Sequence, residues 1–133
     1  MAEMRAHVLA CLPEEACGLL GGRIDGTEAI VQCVIPMENE LHSPVRFRMV
    51  PSEQLQAFNM LDDLGLELVG IFHSHPTGPE APSATDLAEF YYPGVAFLIW
   101  SPGAEGWQLR AFRIAGDGAA KTVFPLAIGA GNS

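Results

Sequence analysis

The 133-residue sequence predicts an α/β domain of the α+β type, with helices flanking a central mixed β-sheet. Three observations predict this class. Short apolar or alternating segments occur next to each other, separated by turn residues, as neighbouring strands of a sheet do. Two longer segments place apolar residues at helical spacing. Hydrophobic residues make up 49% of the chain, enough to bury a core, and the length fits a single domain over residues 1–133.

The first third of the chain predicts one helix followed by a pair of strands. Residues 2–12 carry apolar side chains at helical spacing, and Pro13 ends that run. Residues 15–22 are apolar and end in glycines, which indicates a buried strand. The dipeptide Asp25-Gly26 is typical of a turn, and residues 28–35 then form the returning strand.

The middle of the chain predicts a strand, a helix and a second strand. Residues 45–49, VRFRM, alternate between apolar and charged side chains like a half-exposed strand. A helix is expected over residues 51–64, because Pro51 suits a first helical turn and Gly65 suits a C-terminal end. Its predicted apolar face consists of Ala57, Met60, Leu61 and Leu64. Residues 67–75 follow as a strand that runs into a loop rich in proline.

The last third predicts a short helix and three further strands. The helix begins at Ser83 and continues to about Phe90. Residues 95–100 and 106–114 form two strands around a turn, and a last strand covers residues 121–126. The terminal segment, GAGNS, is expected to be frayed.

Composition narrows the classes of function. The formal net charge is −9, and seven lysines and arginines cannot form an extensive basic face, so a nucleic-acid partner is not expected. The acidity serves solubility or attracts a basic protein partner, and the sequence leaves both open. No apolar run is long enough to span a membrane and the N-terminus does not resemble a signal peptide, so we expect a cytoplasmic protein. Three cysteines without a C-x-x-C spacing predict free thiols.

The segment that carries chemistry is His73-Ser74-His75-Pro76, followed after six residues by Ser83-x-x-Asp86. Alternate residues of a strand point to the same side, so His73 and His75 face one space and Ser74 turns away. Two imidazoles and one carboxylate are a common catalytic zinc set that leaves a fourth position for water. Asp86 would reach this space from the first turn of the next helix.

Each half of this pattern has a plainer interpretation. A lone His-x-His pair is a weak signal, because exposed or buried structural histidines are common. Ser83-x-x-Asp86 also matches a helix capping box. Capping and metal binding are compatible in part, since a serine hydroxyl can accept a backbone N–H and still donate its own proton. The joint pattern favours the metal site.

The stretch HSHPTGPEAPSATD resembles the signature of the JAMM (MPN+) metallopeptidases, and PEEACGLLGG at 13–22 resembles their Glu-x-Cys-Gly segment. The resemblance implies an MPN-like fold of the cytidine-deaminase type. It also implies that His73, His75 and Asp86 bind one Zn²⁺ with a bound water. Glu15 then matches the acid–base glutamate, and Ser83 matches the serine that stabilises the oxyanion.

Glu14 is a neighbouring carboxylate that could be mistaken for the acid–base residue. Alternation along a strand places Glu14 and Glu15 on opposite faces, and only Glu15 has the motif spacing. Cys17 matches a small buried residue in that motif rather than a nucleophile. His7 and His42 match no ligand position and are expected at the surface.

The implied activity is that of a zinc-dependent peptidase or isopeptidase that uses metal-activated water. Its substrate would be a ubiquitin-like or sulfur-carrier protein, cut after the C-terminal glycines, because the compact chain is similar to prokaryotic members of the family. Two alternatives remain: a non-catalytic MPN scaffold subunit, and a DNA-repair-associated JAMM-like protein. The net charge of −9 and the Glu-x-Cys-Gly segment argue against the second. The oligomeric state is left open.

Overall fold

The computed structural model describes residues 2–90, 92, 94–116 and 121–128. These residues form three helices and six strands. In chain order they are α1 (Ala2–Cys11), β1 (Cys17–Asp25), β2 (Glu28–Met37), α2 (Pro51–Leu64), β3 (Glu67–Ser74), α3 (Ala84–Glu89), β4 (Ala96–Gly103), β5 (Gly106–Ala115) and β6 (Thr122–Leu126).

The six strands form one sheet in the order β2-β1-β3-β4-β5-β6. Strands β1 and β2 form an antiparallel hairpin, and β1 also pairs antiparallel with β3. Strand β3 pairs in parallel with β4, which begins a second antiparallel run through β5 and β6. The prediction of a mixed sheet flanked by helices is therefore confirmed.

Helices cover the two faces of the sheet differently. Helix α1 packs Met4 and Val8 on the face that carries Leu20, Phe72 and Leu98. The opposite face carries the alternate strand residues and packs against α2, the loop before it and α3; its buried residues include Cys17, Leu19, Met49, Ala57, Ile71, Phe90, Phe97 and Ile99. Because side chains alternate along β3, the histidine side of that strand lies on this second face.

Several element boundaries agree with the sequence. Helix α1 ends at Cys11, two residues before Pro13, and α2 spans the predicted residues 51–64. Gly65 ends α2 with φ 68°, a left-handed conformation that glycine adopts at little steric cost. The predicted apolar face of α2 is only partly right. Ala57 and Leu61 are buried, whereas Met60 and Leu64 are 39% and 57% exposed.

The predicted strand at residues 45–49 is wrong. Only Met49 takes part in β pairing there, through an isolated bridge with Asn39. The side-chain amide of Asn39 contacts the backbone carbonyl of Arg46 at 2.9 Å, and the backbone N–H of Glu40 bonds to Arg48 O. A side chain that binds backbone groups in this way competes with ladder formation, so the alternating sequence forms a closed loop.

The predicted fraying of residues 129–133 concerns a segment outside the described residues. Within the described ranges, no helix combines the length and apolar character that crossing a membrane requires.

Candidate metal centre

Strand register brings the two sequence motifs together. In the antiparallel β1–β3 pair, Cys17 lies opposite His73. The pairing continues past the start of β1, because Ser74 N donates to Ala16 O at 3.0 Å and Ala16 N donates to Ser74 Oγ at 2.8 Å. Glu15 therefore lies beside His75, although the two residues are far apart in sequence.

Three side-chain atoms form a compact triangle at the C-terminal end of β3. The Nε2 atoms of His73 and His75 are 2.9 Å apart. Asp86 Oδ2 lies 3.1 Å from the first and 3.0 Å from the second. All three side chains are buried, with exposures of 0%, 4% and 8% for His73, His75 and Asp86.

The triangle has the dimensions of a metal site. Ligand atoms about 2 Å from a tetrahedral zinc ion lie about 3.3 Å from each other. The three observed separations, 2.9–3.1 Å, are slightly shorter than this value. Two imidazole nitrogens and one carboxylate oxygen are also a suitable zinc donor set. The residues present therefore fit a divalent metal such as zinc.

A second carboxylate, Glu15, completes the group. One ligand atom each from Glu15, His73 and His75 lie within 4.8 Å of one another, a set that could itself hold a metal ion. Glu15 is only 3% exposed, and its Oε1 is buried with no hydrogen-bond partner among the residues described. A buried, unpartnered carboxylate oxygen beside two imidazoles points to an unfilled role in binding or proton transfer.

Backbone carbonyls orient His75, and aromatic rings orient His73. His75 Nδ1 lies 2.7 Å from Pro79 O, and His75 N donates to Trp100 O at 2.8 Å. The ring of His73 lies in an aromatic stack, 4.6 Å from the ring of Phe47 and 4.8 Å from that of Phe97. His73 Nδ1 is buried without a partner among the described atoms.

Asp86 is held by the capping box that the sequence suggested. Ser83 is the N-cap of α3, and its Oγ accepts a hydrogen bond from Asp86 N at 3.0 Å. In return, Ser83 N donates to Asp86 Oδ2 at 2.9 Å, the oxygen that also contacts both histidines. Capping and placement of the site carboxylate are thus one arrangement, so the capping box is compatible with a ligand role for Asp86.

Burial and mutual contact shift the titration of these groups. Burial raises the pKa of Glu15 to about 8, opposed by the nearby His75 and reinforced by Asp86. Burial alone would raise the pKa of Asp86, but hydrogen bonds with His73 and His75 outweigh it and hold that pKa well below its usual range. Burial lowers the pKa of His73, whereas contacts with Asp86 and the Pro79 carbonyl leave the pKa of His75 raised despite its burial. The two carboxylates are therefore unequal. Asp86 is favoured as an anion, whereas the pKa of Glu15 is raised toward neutral pH, where a carboxyl group can both accept and release a proton.

Sequence reasoning missed two residues around the centre. Ser74 does turn away from the histidines, as predicted, but its buried hydroxyl binds Ala16 N beside Glu15. Phe47 lies in the segment predicted as a strand and instead stacks on His73. A serine between two strand histidines gives a weak signal for such a bond, and the Phe47 contact leaves no signal in the sequence.

The histidines outside the motif differ from each other. His42 is exposed, as predicted, with side-chain exposure of 60%. His7 is half-buried, and its Nε2 lies 3.0 Å and 3.1 Å from the carbonyl oxygens of Cys17 and Met37. The prediction of a surface His7 is therefore wrong, because the ring connects α1 to backbone carbonyls of β1 and β2.

A buried set of two histidines and two carboxylates, at the end of a strand in a helix-flanked mixed sheet, defines a candidate mononuclear metallohydrolase. The chain belongs to the JAB-domain family: the family described as prokaryotic homologs of the JAB domain matches residues 1–115. This is the family that the JAMM resemblance predicted.

Curated relatives are similar over most of the chain. A "Probable TtuB-protein conjugate cleaving protease" from Thermus thermophilus is 40% identical over 113 residues, or 84% of this chain and 70% of the relative. A "Desampylase" from Haloferax volcanii is 35% identical, covering 76% of this chain and 75% of the relative. A "CysO-cysteine peptidase" from Mycobacterium tuberculosis is 34% identical, covering 87% of this chain and 78% of the relative.

Solved structures agree with the fold. The solution structure of a protein from Desulfitobacterium hafniense is 41% identical with a TM-score of 0.82, covering 95% of this chain and 84% of that one. A JAB1/MPN domain protein from Archaeoglobus fulgidus has a TM-score of 0.52 over 84% of this chain and 82% of that one. At 20% identity, the second likeness concerns the fold alone.

Proposed function

We propose that this chain is a zinc-dependent peptidase or isopeptidase that cleaves after the C-terminal glycines of a ubiquitin-like or sulfur-carrier protein. The enzyme class follows from the family, whose curated relatives are named as proteases and peptidases. The names of the relatives, which refer to a TtuB-protein conjugate and to CysO-cysteine, support this substrate class. The observation that carries the proposal is the buried triangle of His73, His75 and Asp86 with the unpartnered Glu15 carboxylate beside it.

His73, His75 and Asp86 would hold the zinc ion. Asp86 is preferred over Glu15 as the carboxylate ligand, because its Oδ2 lies 3.0–3.1 Å from both imidazole nitrogens and carries a backbone hydrogen bond that fixes it. Zinc in such a site lowers the pKa of a water molecule to about 7 and polarises a carbonyl group.

Glu15 would move the protons of the reaction. Its buried carboxylate has an oxygen with no partner among the described residues, so it can accept a proton from the attacking water. The same carboxyl group would then give that proton to the departing amine, which is general acid–base catalysis. The hydrogen bonds between Ala16 and Ser74 hold the Glu15 backbone beside His75.

Ser83 would stabilise the negative charge that develops on the carbonyl oxygen. Its Oγ accepts a hydrogen bond from Asp86 N, which leaves the hydroxyl hydrogen available as a donor. A donor fixed in this way at a helix N-terminus costs little reorganisation when the charge forms. Glu15 directly precedes β1, His75 directly follows β3, and Ser83 and Asp86 belong to the N-terminal end of α3. We propose that residues 1–133 act as one domain.

A mass-based cleavage assay tests the proposal. The protein is incubated with several sulfur carriers that bear a C-terminal extension beyond the glycines, and the products are weighed with and without a chelator. We expect a cut directly after the last glycine, loss of cleavage with chelator, and recovery when zinc is restored. A non-catalytic scaffold would give no cleavage of any carrier while still binding zinc, and that result would overturn the proposal.

A further inference from the structure

We propose that Asn39 is a positioning residue for the reaction, which holds the backbone of Glu15 through the loop of residues 39–49. This inference rests on the proposed role of Glu15 as the acid–base residue. Asn39 matches neither of the two sequence motifs and lies at the start of the loop, six residues before the first residue of the segment wrongly predicted as a strand. It is only 5% exposed, which is unusual for a polar side chain with no charged partner.

The amide nitrogen of Asn39 binds three backbone carbonyls. Its Nδ2 lies 2.9 Å from Arg46 O, 3.1 Å from Glu15 O and 3.4 Å from Ser43 O. The group has two hydrogens, so these three contacts use its whole donor capacity. One side chain thus connects the Glu15 segment to two points of the loop.

The amide oxygen of Asn39 orders the same loop from within. Its Oδ1 accepts hydrogen bonds from Leu41 N at 3.1 Å and from Arg48 N at 3.2 Å. With the three carbonyl contacts, the side chain is fully satisfied, which suits a buried amide. The loop therefore closes around Asn39 rather than around a strand ladder.

Both backbone polar groups of Glu15, its N–H and its C=O, are hydrogen-bonded to this loop. Its N–H donates to Ser43 O at 2.8 Å, and its C=O accepts from Asn39 Nδ2 at 3.1 Å. Asn39 Nδ2 also contacts the carbonyl of Ser43. Asn39 consequently influences both hydrogen bonds that fix the Glu15 backbone, while the Glu15 side chain stays free of it.

The loop also reaches a proposed zinc ligand. Phe47 lies between Arg46 and Arg48, whose backbone groups both bind Asn39. The Phe47 ring stacks on His73, with 4.6 Å between ring centroids. The same amide thus supports the wall of the site as well as the position of its acid–base residue.

Two substitutions separate hydrogen-bond donation from shape. Asn39→Asp keeps the size of the side chain and the oxygen that binds Leu41 N and Arg48 N, but it has no donor for the three carbonyls. Asn39→Ala removes all five contacts. Asn59→Ala, at an exposed position of α2, is the matched control.

The experiment measures kcat, KM, zinc content and amide hydrogen exchange for the three variants and the wild type. A displacement of the Glu15 carboxylate by a fraction of an ångström should lower kcat by roughly 10- to 100-fold in Asn39→Asp and Asn39→Ala. KM and zinc content should stay near wild-type values, because all three proposed ligands are retained and the hydrogen bonds that orient His75 and Asp86 do not involve Asn39. The Glu15 amide should exchange faster, whereas central β1 amides such as that of Leu19 keep their protection.

Two results would overturn the proposal: wild-type kcat in Asn39→Asp, or an unchanged exchange rate at the Glu15 amide. Loss of kcat that only follows loss of zinc or of folded protein would also count against it. If the wild-type protein cleaves no carrier, the proposed function fails. The exchange rate of the Glu15 amide still decides whether Asn39 holds that segment.

Discussion

The Nδ1 atom of His75 lies 2.7 Å from the carbonyl oxygen of Pro79. A carbonyl oxygen only accepts hydrogen bonds, so Nδ1 carries a ring hydrogen, and Nε2 is the nitrogen whose lone pair would bind a metal in the zinc-loaded protein. Metal-binding histidines usually donate their second N–H to a carbonyl or carboxylate in this way. The proline-rich loop after β3 therefore sets the tautomer of one proposed ligand.

This relationship predicts the protonation state of the His75 ring. In the zinc-loaded protein, long-range ¹H–¹⁵N NMR correlations should show the hydrogen of His75 on Nδ1 and none on Nε2. The ring of His42, which is exposed and lies outside the site, serves as the control, and zinc should not change its correlations. Detection of a hydrogen on His75 Nε2 in the zinc-loaded protein would contradict both the tautomer and the ligand assignment.

Local sequence rules predicted the histidine pair but not which residues pack beside it. Alternation along a strand was enough to place His73 and His75 on one face, because that rule is local. The approach of Glu15 to His75 depends on the register of β1 against β3, a pairing between segments far apart in the chain. No local periodicity contains that register, so only the family resemblance could suggest it.

The strand predicted at residues 45–49, within the loop of residues 39–49, was wrong for a different physical reason. The segment VRFRM alternates between apolar and charged residues as a strand does. This pattern does not reveal that a side chain outside the segment forms hydrogen bonds with the backbone groups of the segment. Asn39 does so at Arg46, and the result is a loop that carries Phe47 onto His73. The exposure of Met60 and Leu64 on α2 has a separate cause: helical spacing defines an apolar face but not how much of that face the sheet covers.

A pair of carboxylate substitutions separates the proposed ligand from the proposed acid–base residue. Glu15→Gln should keep stoichiometric zinc and lose activity by at least roughly 100-fold, since the proton acceptor is gone. Asp86→Ala should lose zinc, because it removes a ligand oxygen 3.0–3.1 Å from both imidazole nitrogens. Elemental analysis and the cleavage assay give the two readouts.

The control for these variants is Glu14→Gln. Glu14 is the adjacent carboxylate and contacts His42 Nδ1 at 3.1 Å outside the site. The Glu14→Gln variant should have zinc content and activity near those of the wild type. If Glu15→Gln lost zinc and Asp86→Ala retained it, the proposed assignment would be contradicted, and Glu15 would be the zinc ligand in place of Asp86.

Metal removal should destabilise the fold. A ligand that binds only the folded state stabilises it by about 2.7 kcal/mol when its free concentration is 100 times Kd. We therefore expect a lower Tm with chelator and a Tm that rises with added zinc. His75→Ala lacks a proposed ligand and should show no zinc-dependent rise, whereas His42→Ala should behave like the wild type. A zinc-dependent rise in His75→Ala would contradict the assignment.

Cys17 should be inert in the folded protein. Its side chain is fully buried, and burial raises the pKa of the thiol to about 12, so almost no thiolate exists near neutral pH. Brief alkylation of the native protein should modify the half-buried Cys33 and spare Cys17, as peptide mass mapping would show. All three cysteines should react in denaturant, which controls for reagent access. If Cys17 were labelled in the native protein as fast as Cys33, the prediction that its thiol is buried and unreactive would be contradicted.

Ser83 has two roles that substitution can separate. Its hydroxyl caps α3 and, in the proposed mechanism, donates to the oxyanion. Ser83→Ala should lower the free energy of unfolding by about 1 kcal/mol. Ser83→Gly should lower it by only roughly a few tenths of a kcal/mol, because glycine is a tolerated N-cap residue. Both variants lack the hydroxyl, so both should lose roughly 100- to 1,000-fold in kcat. Ser83→Thr, which keeps a hydroxyl, should retain most activity. If Ser83→Gly remains active while Ser83→Ala does not, activity follows the cap, and the hydroxyl has no part in the chemistry.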